Sequence, residues 1–215
     1  MLQVQCFTFN FIQENTYLIF DDQSREAVII DAGNQFPKED QLLFKTIADL
    51  ELTVTRLLNT HAHIDHIIGN AACYEKYQLF PEIHPDEVFT FEKTLQTSML
   101  WGIDLSLSPK PKSTLIANDF ITLGNEKLEI LFTPGHSQGH VSFYSCAQHM
   151  IFSGDVIFYN SIGRTDLPGG NIAILEHTIQ KEIYTLPPQT IIYSGHGEKT
   201  TVKEEMQNNP FVRIT

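Results

Sequence analysis

Thr60-His61-Ala62-His63-Ile64-Asp65-His66 decides what this chain can be. Between His61 and His66 lie three imidazoles and one carboxylate, a density that a chance cluster of surface or capping residues explains poorly. Neutral imidazole and carboxylate suit zinc, iron and manganese. In an extended segment the side chains of His61 and His63 share one face, which leaves Asp65 and His66 to turn toward a second ion. The residues just before the cluster say how it is held. Leu42, Leu43, Ile47 and Leu50 recur at helical spacing after the polar residues 37–40, and residues 54–58 read as a buried strand leading into Asn59. A strand–helix–strand unit thus delivers the cluster to a loop at a strand end, where a rigid sheet can aim several side chains inward.

Alone, the cluster leaves two ions short of donors. His136 in Thr133-Pro134-Gly135-His136, Asp155 in Ser153-Gly154-Asp155 and His196 in Ser194-Gly195-His196 are the candidates to complete them. Each follows an apolar run and a glycine, and glycine permits the tight turn that points a side chain back over a sheet edge. Taken singly, each is as readily an ordinary turn residue; three repeats of strand, glycine and ligand favour the site. Seven donors and a bridging oxygen give each of two ions four or five ligands.

Working outward, residues 3–9, 16–20 and 27–31 form a β-rich start, and further strands are expected over 79–83, 120–123, 127–132, 141–144, 150–152 and 190–193. Helices are expected over 70–77, 85–91, 172–184 and 201–207. At 215 residues with 42% hydrophobic content, one domain over residues 1–215 is the expectation; residues 105–113 are the sole candidate boundary and are too short to divide the chain. Cys6, Cys73 and Cys146 lie far apart with no C-x-x-C pair, which predicts reduced, mostly buried thiols rather than disulfides or thiolate zinc. A formal charge of −12 argues against partners with phosphate backbones or acidic membrane surfaces. No apolar run approaches a membrane span and the first ten residues lack signal-peptide features, so a cytoplasmic protein is expected. The oligomeric state has no signature.

The order H-x-H-x-D-H, T-P-G-H, S-G-D and G-H, running from Asp31-Ala32-Gly33 to His196-Gly197, resembles the metallo-β-lactamase superfamily. Gly163-Arg164-Thr165-Asp166-Leu167-Pro168-Gly169-Gly170 and the ending Asn209-Pro210-Phe211 resemble the short, single-domain relatives of glyoxalase II, the hydroxyacylglutathione hydrolases. The resemblance implies an α/β fold built as a four-layer αββα sandwich, with the active site along one edge. It implies two divalent metal ions, zinc first with iron or manganese as alternatives. His61, His63 and His136 would hold one ion, Asp65, His66 and His196 the other, and Asp155 would bridge. The implied reaction is hydrolysis of a small-molecule thioester such as S-lactoylglutathione by a metal-bridging hydroxide, with Asp65 and Asp155 as catalytic carboxylates and Asp65 orienting the hydroxide. A C-terminal helical domain, which assists glutathione binding in two-domain glyoxalase II enzymes, is not expected here.

Around this centre, His140 lines the site or supplies a supporting hydrogen bond, the two being even. Arg164 grips a substrate carboxylate or, slightly favoured, pairs with Asp166. Asp31 either braces the ligand loop or is a simple turn aspartate. Residues 99–107, with Trp101, form an apolar flap or a packed connector. His84, His149 and His177 have no partner spacing and are assigned nothing. Persulfide dioxygenases share the fold and a similar Gly-Arg-Thr-Asp loop, and use one iron on two histidines and an aspartate, here His61, His136 and Asp155. A β-lactamase is disfavoured because Asp155 stands where those enzymes typically have cysteine. A nuclease is disfavoured by the acidic charge, and a structural zinc module by an open, cysteine-free donor set.

Overall fold

The computed structural model describes residues 1–105 and 107–213. Among them, two six-stranded sheets stack face to face. The first runs in the order β1 (Leu2–Phe9), β2 (Glu14–Asp21), β3 (Glu26–Ile30), β4 (Thr53–Leu58), β5 (Pro81–Ile83) and β6 (Lys112–Ser113). Its first three strands are antiparallel and the later pairs parallel. The second contains β7 (Phe120–Leu123), β8 (Glu126–Phe132), β9 (Val141–Ser145) and β10 (Met150–Gly154). A small hairpin, β11 (Ile157–Phe158) and β12 (Ser161–Ile162), leads on to β13 (Ile191–Ser194) and β14 (Thr200–Thr201). Spatially this sheet runs β14, β13, β10, β9, β8, β7, with β10 and β13 parallel.

Side-chain alternation makes the layers. On β2, Tyr17 and Ile19 point between the sheets, where they join Val28, Ile30, Phe143 and Phe152 in the central core. Leu18 and Phe20 point the other way, onto Leu43 and Ile47 of α1 (Pro37–Asp49) and Cys73 of α3 (Asn70–Tyr77). On the far side, Ile151 and Ile192 meet Leu175 of α5 (Ile172–Thr178) and Val202 of α6 (Val202–Asn208). A strand covered on both faces reads as a nearly unbroken apolar run, as Tyr17–Phe20 does. The result is the expected αββα order. Phe143 is fully buried, so truncating it to alanine would cost about 3–5 kcal/mol.

α1 begins at Pro37, whose fixed φ suits the first helical position. Glu39 reaches back to accept from the Gln35, Phe36 and Asn10 amides, fixing the helix entry against the end of β1.

Several expectations need correction. Leu42 is exposed, and the buried face of α1 is carried by Leu43 and Ile47. The helix expected over 85–91 is a 3₁₀ turn (Pro85–Glu87) followed by α4 (Val88–Thr97), extended because Phe91 and Thr94 both find cover. The helix over 172–184 is α5 continued by a π-helical turn (Ile179–Ile183) closed by Tyr184 N–H to Ile179 C=O at 2.8 Å. Residues 105–113, of which Ser106 lies outside the described residues, lead into edge strand β6, with Leu105 and then Leu115 buried. Of the cysteines only Cys73 is buried; Cys6 and Cys146 are exposed free thiols. No helix among the described residues is long and apolar enough to cross a membrane.

Candidate metal centre

Four strand ends build the site. The 61–66 segment follows β4 and turns into the short helix α2 (Ile64–Ile67); His136 follows β8, Asp155 follows β10, and His196 follows β13. Two of the glycines flagged in the sequence are required by space. At Gly154, φ is +49° and a Cβ would stand 2.4 Å from Thr60 Oγ1; at Gly195 it would stand 2.2 Å from Asp155 Oδ1.

Two triads of donor atoms converge, His61 with His63 and His136, and Asp65 with His66 and His196. His136 Nε2 lies 3.2 Å from His61 Nε2 and 2.8 Å from His63 Nδ1. Donors about 2.0–2.1 Å from a tetrahedral ion stand roughly 3.3 Å apart, so the first triad is near the spacing an ion needs. Asp65 Oδ2 is 3.5 Å from His66 Nε2 and 3.1 Å from His196 Nε2. Asp155 stands between the triads: Oδ2 is 3.5 Å from His136 Nε2 and 3.6 Å from His196 Nε2, while Oδ1 is 3.4 Å from His66 Nε2.

The outer ring nitrogens explain why the inner ones are free. His136 Nδ1 donates to the Arg164 carbonyl at 2.7 Å, and His196 Nδ1 to that of Gln13 at 3.2 Å. Asp31 Oδ2 accepts from His66 Nδ1 at 3.0 Å and from Thr60 Oγ1 at 2.7 Å, and Thr60 Oγ1 accepts from His61 Nδ1 at 3.0 Å. One carboxylate therefore sets the tautomer of two histidines, as outer supports do in metal sites. Asp31 also holds the Thr60 amide at 2.7 Å, so it braces the ligand loop. These bonds account for the additional grouping of Asp31, His61 and His66. His66 Nε2 and Asp155 Oδ1 are buried with no hydrogen-bond partner, the signature of atoms built to meet an ion.

Charge follows the same plan. Burial, then the neighbouring imidazoles, hold His61 well below the usual histidine range. Burial likewise brings His63 down to about 3 and lowers His136 despite Asp155. These three are neutral, with lone pairs available. On the other side burial opposes charge on His66, but the carboxylates of Asp65, Asp155 and Asp31 outweigh it and raise its pKa. Burial also opposes ionisation of Asp65 and Asp155, yet His66 and its neighbours keep both carboxylates below the usual range. A bound cation would take over the balancing role of the His66 proton.

His140 is a correction as a substrate contact. It is fully buried behind the donors, with Nε2 accepting from the Asp155 amide at 3.2 Å and Nδ1 donating to Thr133 Oγ1 at 2.9 Å. It supports the Asp155 main chain instead. Arg164 lines the cleft, but its guanidinium is taken up by Asp166 through two bonds of 2.7 and 2.8 Å, the slightly favoured expectation. Its other contribution is the main-chain carbonyl that orients His136.

Two buried acids had no sequence signal. Glu87 Oε1 accepts from the Ala62 amide at 3.0 Å, and Oε2 from Ser137 Oγ and the Gly139 amide at 2.9 Å each, joining the 61–66 loop to the 136–140 loop. Glu14 is wholly buried, accepts from Thr16 Oγ1 at 2.9 Å and stands 3.9 Å from His66 Nδ1; burial raises its pKa well above the carboxylate range. Both lie in ordinary amphipathic contexts, and only the folded chain brings them to the centre.

The donors open into a cleft of about 650 Å³. His63, Asp65, His136, Asp155 and His196 form its base, and Leu100 and Trp101, from the 3₁₀ turn Ser98–Trp101, stand on its wall.

Comparison with known proteins agrees with this geometry. A family model described as the metallo-β-lactamase superfamily matches residues 10–196. A Bacillus subtilis protein named a probable metallo-hydrolase is 41% identical over 94% of this chain and 93% of its own. The Haemophilus influenzae hydroxyacylglutathione hydrolase GloC is 34% identical over 93% of both chains. A mitochondrial persulfide dioxygenase of Bos taurus is 32% identical over 93% of this chain and 72% of its own. Among solved structures, the BLEG-1 B3 metallo-β-lactamase superposes with a TM-score of 0.86 at 35% identity, covering 98% of this chain and 99% of that one. TTHA1623, in a di-iron-bound form, superposes with a TM-score of 0.85 at 33% identity over 97% and 100%.

Proposed function

Because this chain belongs to the metallo-β-lactamase superfamily, and Asp155 stands between its two donor triads, we propose that it is a binuclear metal-dependent hydrolase of small-molecule thioesters, of which S-lactoylglutathione is one example. Membership of the superfamily makes it an enzyme of the metallo-hydrolase class. The observation that carries the finer reading is Asp155, whose Oδ2 lies 3.5 Å from His136 Nε2 of one triad and 3.6 Å from His196 Nε2 of the other, within reach of both. Zinc is the first choice for both positions, with iron or manganese accepted by the same donors; the di-iron form of TTHA1623 supports two-metal occupancy of this architecture.

A divalent pair, which His61, His63, His136, Asp65, His66, His196 and Asp155 would hold, would supply Lewis acidity and lower the pKa of a bound water from 15.7 to about 7. The protein does the rest. Asp65, 3.1 Å from His196 Nε2 and facing the cleft, orients the attacking water, and Asp155 fixes the separation of the two triads. The water gives up one proton to solvent and its oxygen adds to the thioester carbon; the C–S bond breaks with its electron pair going to sulfur, the thiolate leaves as an anion, and the carboxylic acid product releases the second proton. Because a thiolate is a good leaving group, no protonated side chain has to serve it. The −12 charge supports a small-molecule partner over nucleic acid or an acidic membrane surface.

A second reading has an observation of its own. His61, His136 and Asp155 lie together as a two-histidine, one-carboxylate set suited to a single iron, and a persulfide dioxygenase is among the relatives. One measurement separates the two: metal content of protein purified without added metal, paired with thioester cleavage and oxygen uptake on glutathione persulfide. Near two metals per chain with thioester cleavage supports the hydrolase. One iron with oxygen uptake and negligible cleavage overturns it. A β-lactam chromogen in the same series tests the chemistry named by the BLEG-1 neighbour.

A further inference from the structure

The cleft over the metal centre is walled on most sides by hydrocarbon. Ile12, Ile64, Leu100, Trp101, Phe158 and Leu167 all face it, directly beside the donors at its base. Leu100 is 85% and Trp101 64% exposed, side chains of a size normally buried. Large apolar side chains exposed together beside a polar centre mark a ligand wall, and about 650 Å³ lies within the range of small-molecule pockets.

Charge in the same cleft is sparse. Among the described lining residues the cations are Lys93 and Arg164, and the Arg164 guanidinium is bound to Asp166. Lys93 Nζ sits 5.8 Å from the Phe89 ring centroid and 3.3 Å from Gln96 Oε1. A thiol such as glutathione carries two carboxylates and an ammonium, and this wall offers them little. The soluble thiol carriers glutathione and coenzyme A are polar, so the apolar part of their thioesters is the acyl group.

We propose that the Leu100–Trp101 turn and the facing hydrocarbon wall select thioesters with an apolar acyl chain longer than acetyl, the thiol portion remaining toward solvent. The assignment rests on the thioester-hydrolase reading, and its test is arranged so that either can fail alone. Burying a methylene contributes about fourfold in binding when complete, so a partly open wall should give two- to fourfold per carbon.

Trp101 is the single tryptophan of the chain, which makes its emission a reporter at the wall. Metal-loaded protein is titrated with S-(2-oxoalkyl) N-acetylcysteamine thioethers, ketones that cannot be hydrolysed, with acyl lengths of two to six carbons. The same lengths are then assayed as N-acetylcysteamine thioesters, beside S-lactoylglutathione. The expected result is a blue-shifted Trp101 emission whose half-saturation tightens two- to fourfold per carbon, and a kcat/KM that rises in step. W101A should halve the slope of kcat/KM with length on a logarithmic scale. Tightening with length but no cleavage of any thioester upholds the wall and removes the hydrolase. Cleavage with no length dependence, or S-lactoylglutathione preferred tenfold over the hexanoyl ester, overturns the wall and leaves the hydrolase standing.

Discussion

Glu87 offers a sharp test of how the two ligand loops are held. Its buried carboxylate accepts from the Ala62 amide, between His61 and His63, and from Ser137 Oγ and the Gly139 amide, on either side of the turn after His136. Glu87→Ala strands two main-chain N–H groups that cannot rotate to other partners, at about 1–3 kcal/mol each, while the serine hydroxyl can re-aim. With the space left by the side chain, the loss should reach about 3–6 kcal/mol, a large share of the roughly 5–15 kcal/mol that stabilises a domain. Glu87→Gln can place its amide oxygen where Oε2 stands and keep Ser137 and Gly139, but it then sets an NH₂ against the Ala62 amide, costing about 1–3 kcal/mol. Urea unfolding of the metal-stripped protein should rank wild type above E87Q and E87Q above E87A. Metal affinity should fall about 10–100-fold in E87A, as for outer supports elsewhere. An E87A unfolding free energy within about 1 kcal/mol of wild type, or E87Q as damaged as E87A, would refute the reasoning.

Other expectations follow from the same geometry. His140→Ala should lower metal affinity about 10–100-fold with little change in KM, since His140 touches the Asp155 amide and not the cleft; a raised KM with full metal would make it a substrate contact. His63, at about 3 in the fold against about 6.5 unfolded, is favoured neutral, so its contribution is complete above pH 6.5 and is lost as pH falls toward 3. In metal-free protein wild type should therefore lose about 3 kcal/mol of stability relative to H63N between pH 7 and 4, read from denaturant unfolding; an unchanged difference would contradict the shift. Gly195→Ala places a Cβ 2.2 Å from Asp155 Oδ1 and 2.8 Å from His66 Cε1, and should cost about 1–3 kcal/mol and reduce bound metal below one per chain by elemental analysis. A G195A protein that binds as much metal as wild type would show that Asp155 tolerates displacement.

What could be read ahead of folding was the local and the periodic. The apolar alternation of β2 and β3 and the strand–glycine–donor repeats depend on neighbours in sequence; they place the central strands and single out residues that the fold brings to one site, His61, His63 and His136 in one group and Asp65, His66 and His196 in another, with Asp155 between them. The two-residue strands β6, β11, β12 and β14 carry no periodicity of their own and exist because a neighbour pairs with them. α4 was cut short because its second half is held by tertiary cover over Phe91 and Thr94. Glu14 and Glu87 escaped notice because a buried acid looks like a surface acid until its donors are known. For His140 the spacing from His136 leaves lining the site and a supporting hydrogen bond equally open, and its direction, set by Thr133 and the Asp155 amide, decides for the hydrogen bond.

The donors at the centre are drawn from both sheets, four from the loop after β4 and three from the ends of strands in the second sheet. As the chain emerges during synthesis, the first triad is complete only with His136 and the second only with His196. Metal binding at these residues would thus report on the docking of one sheet against the other, and a chain truncated before β13 would lack His196 and with it the second triad.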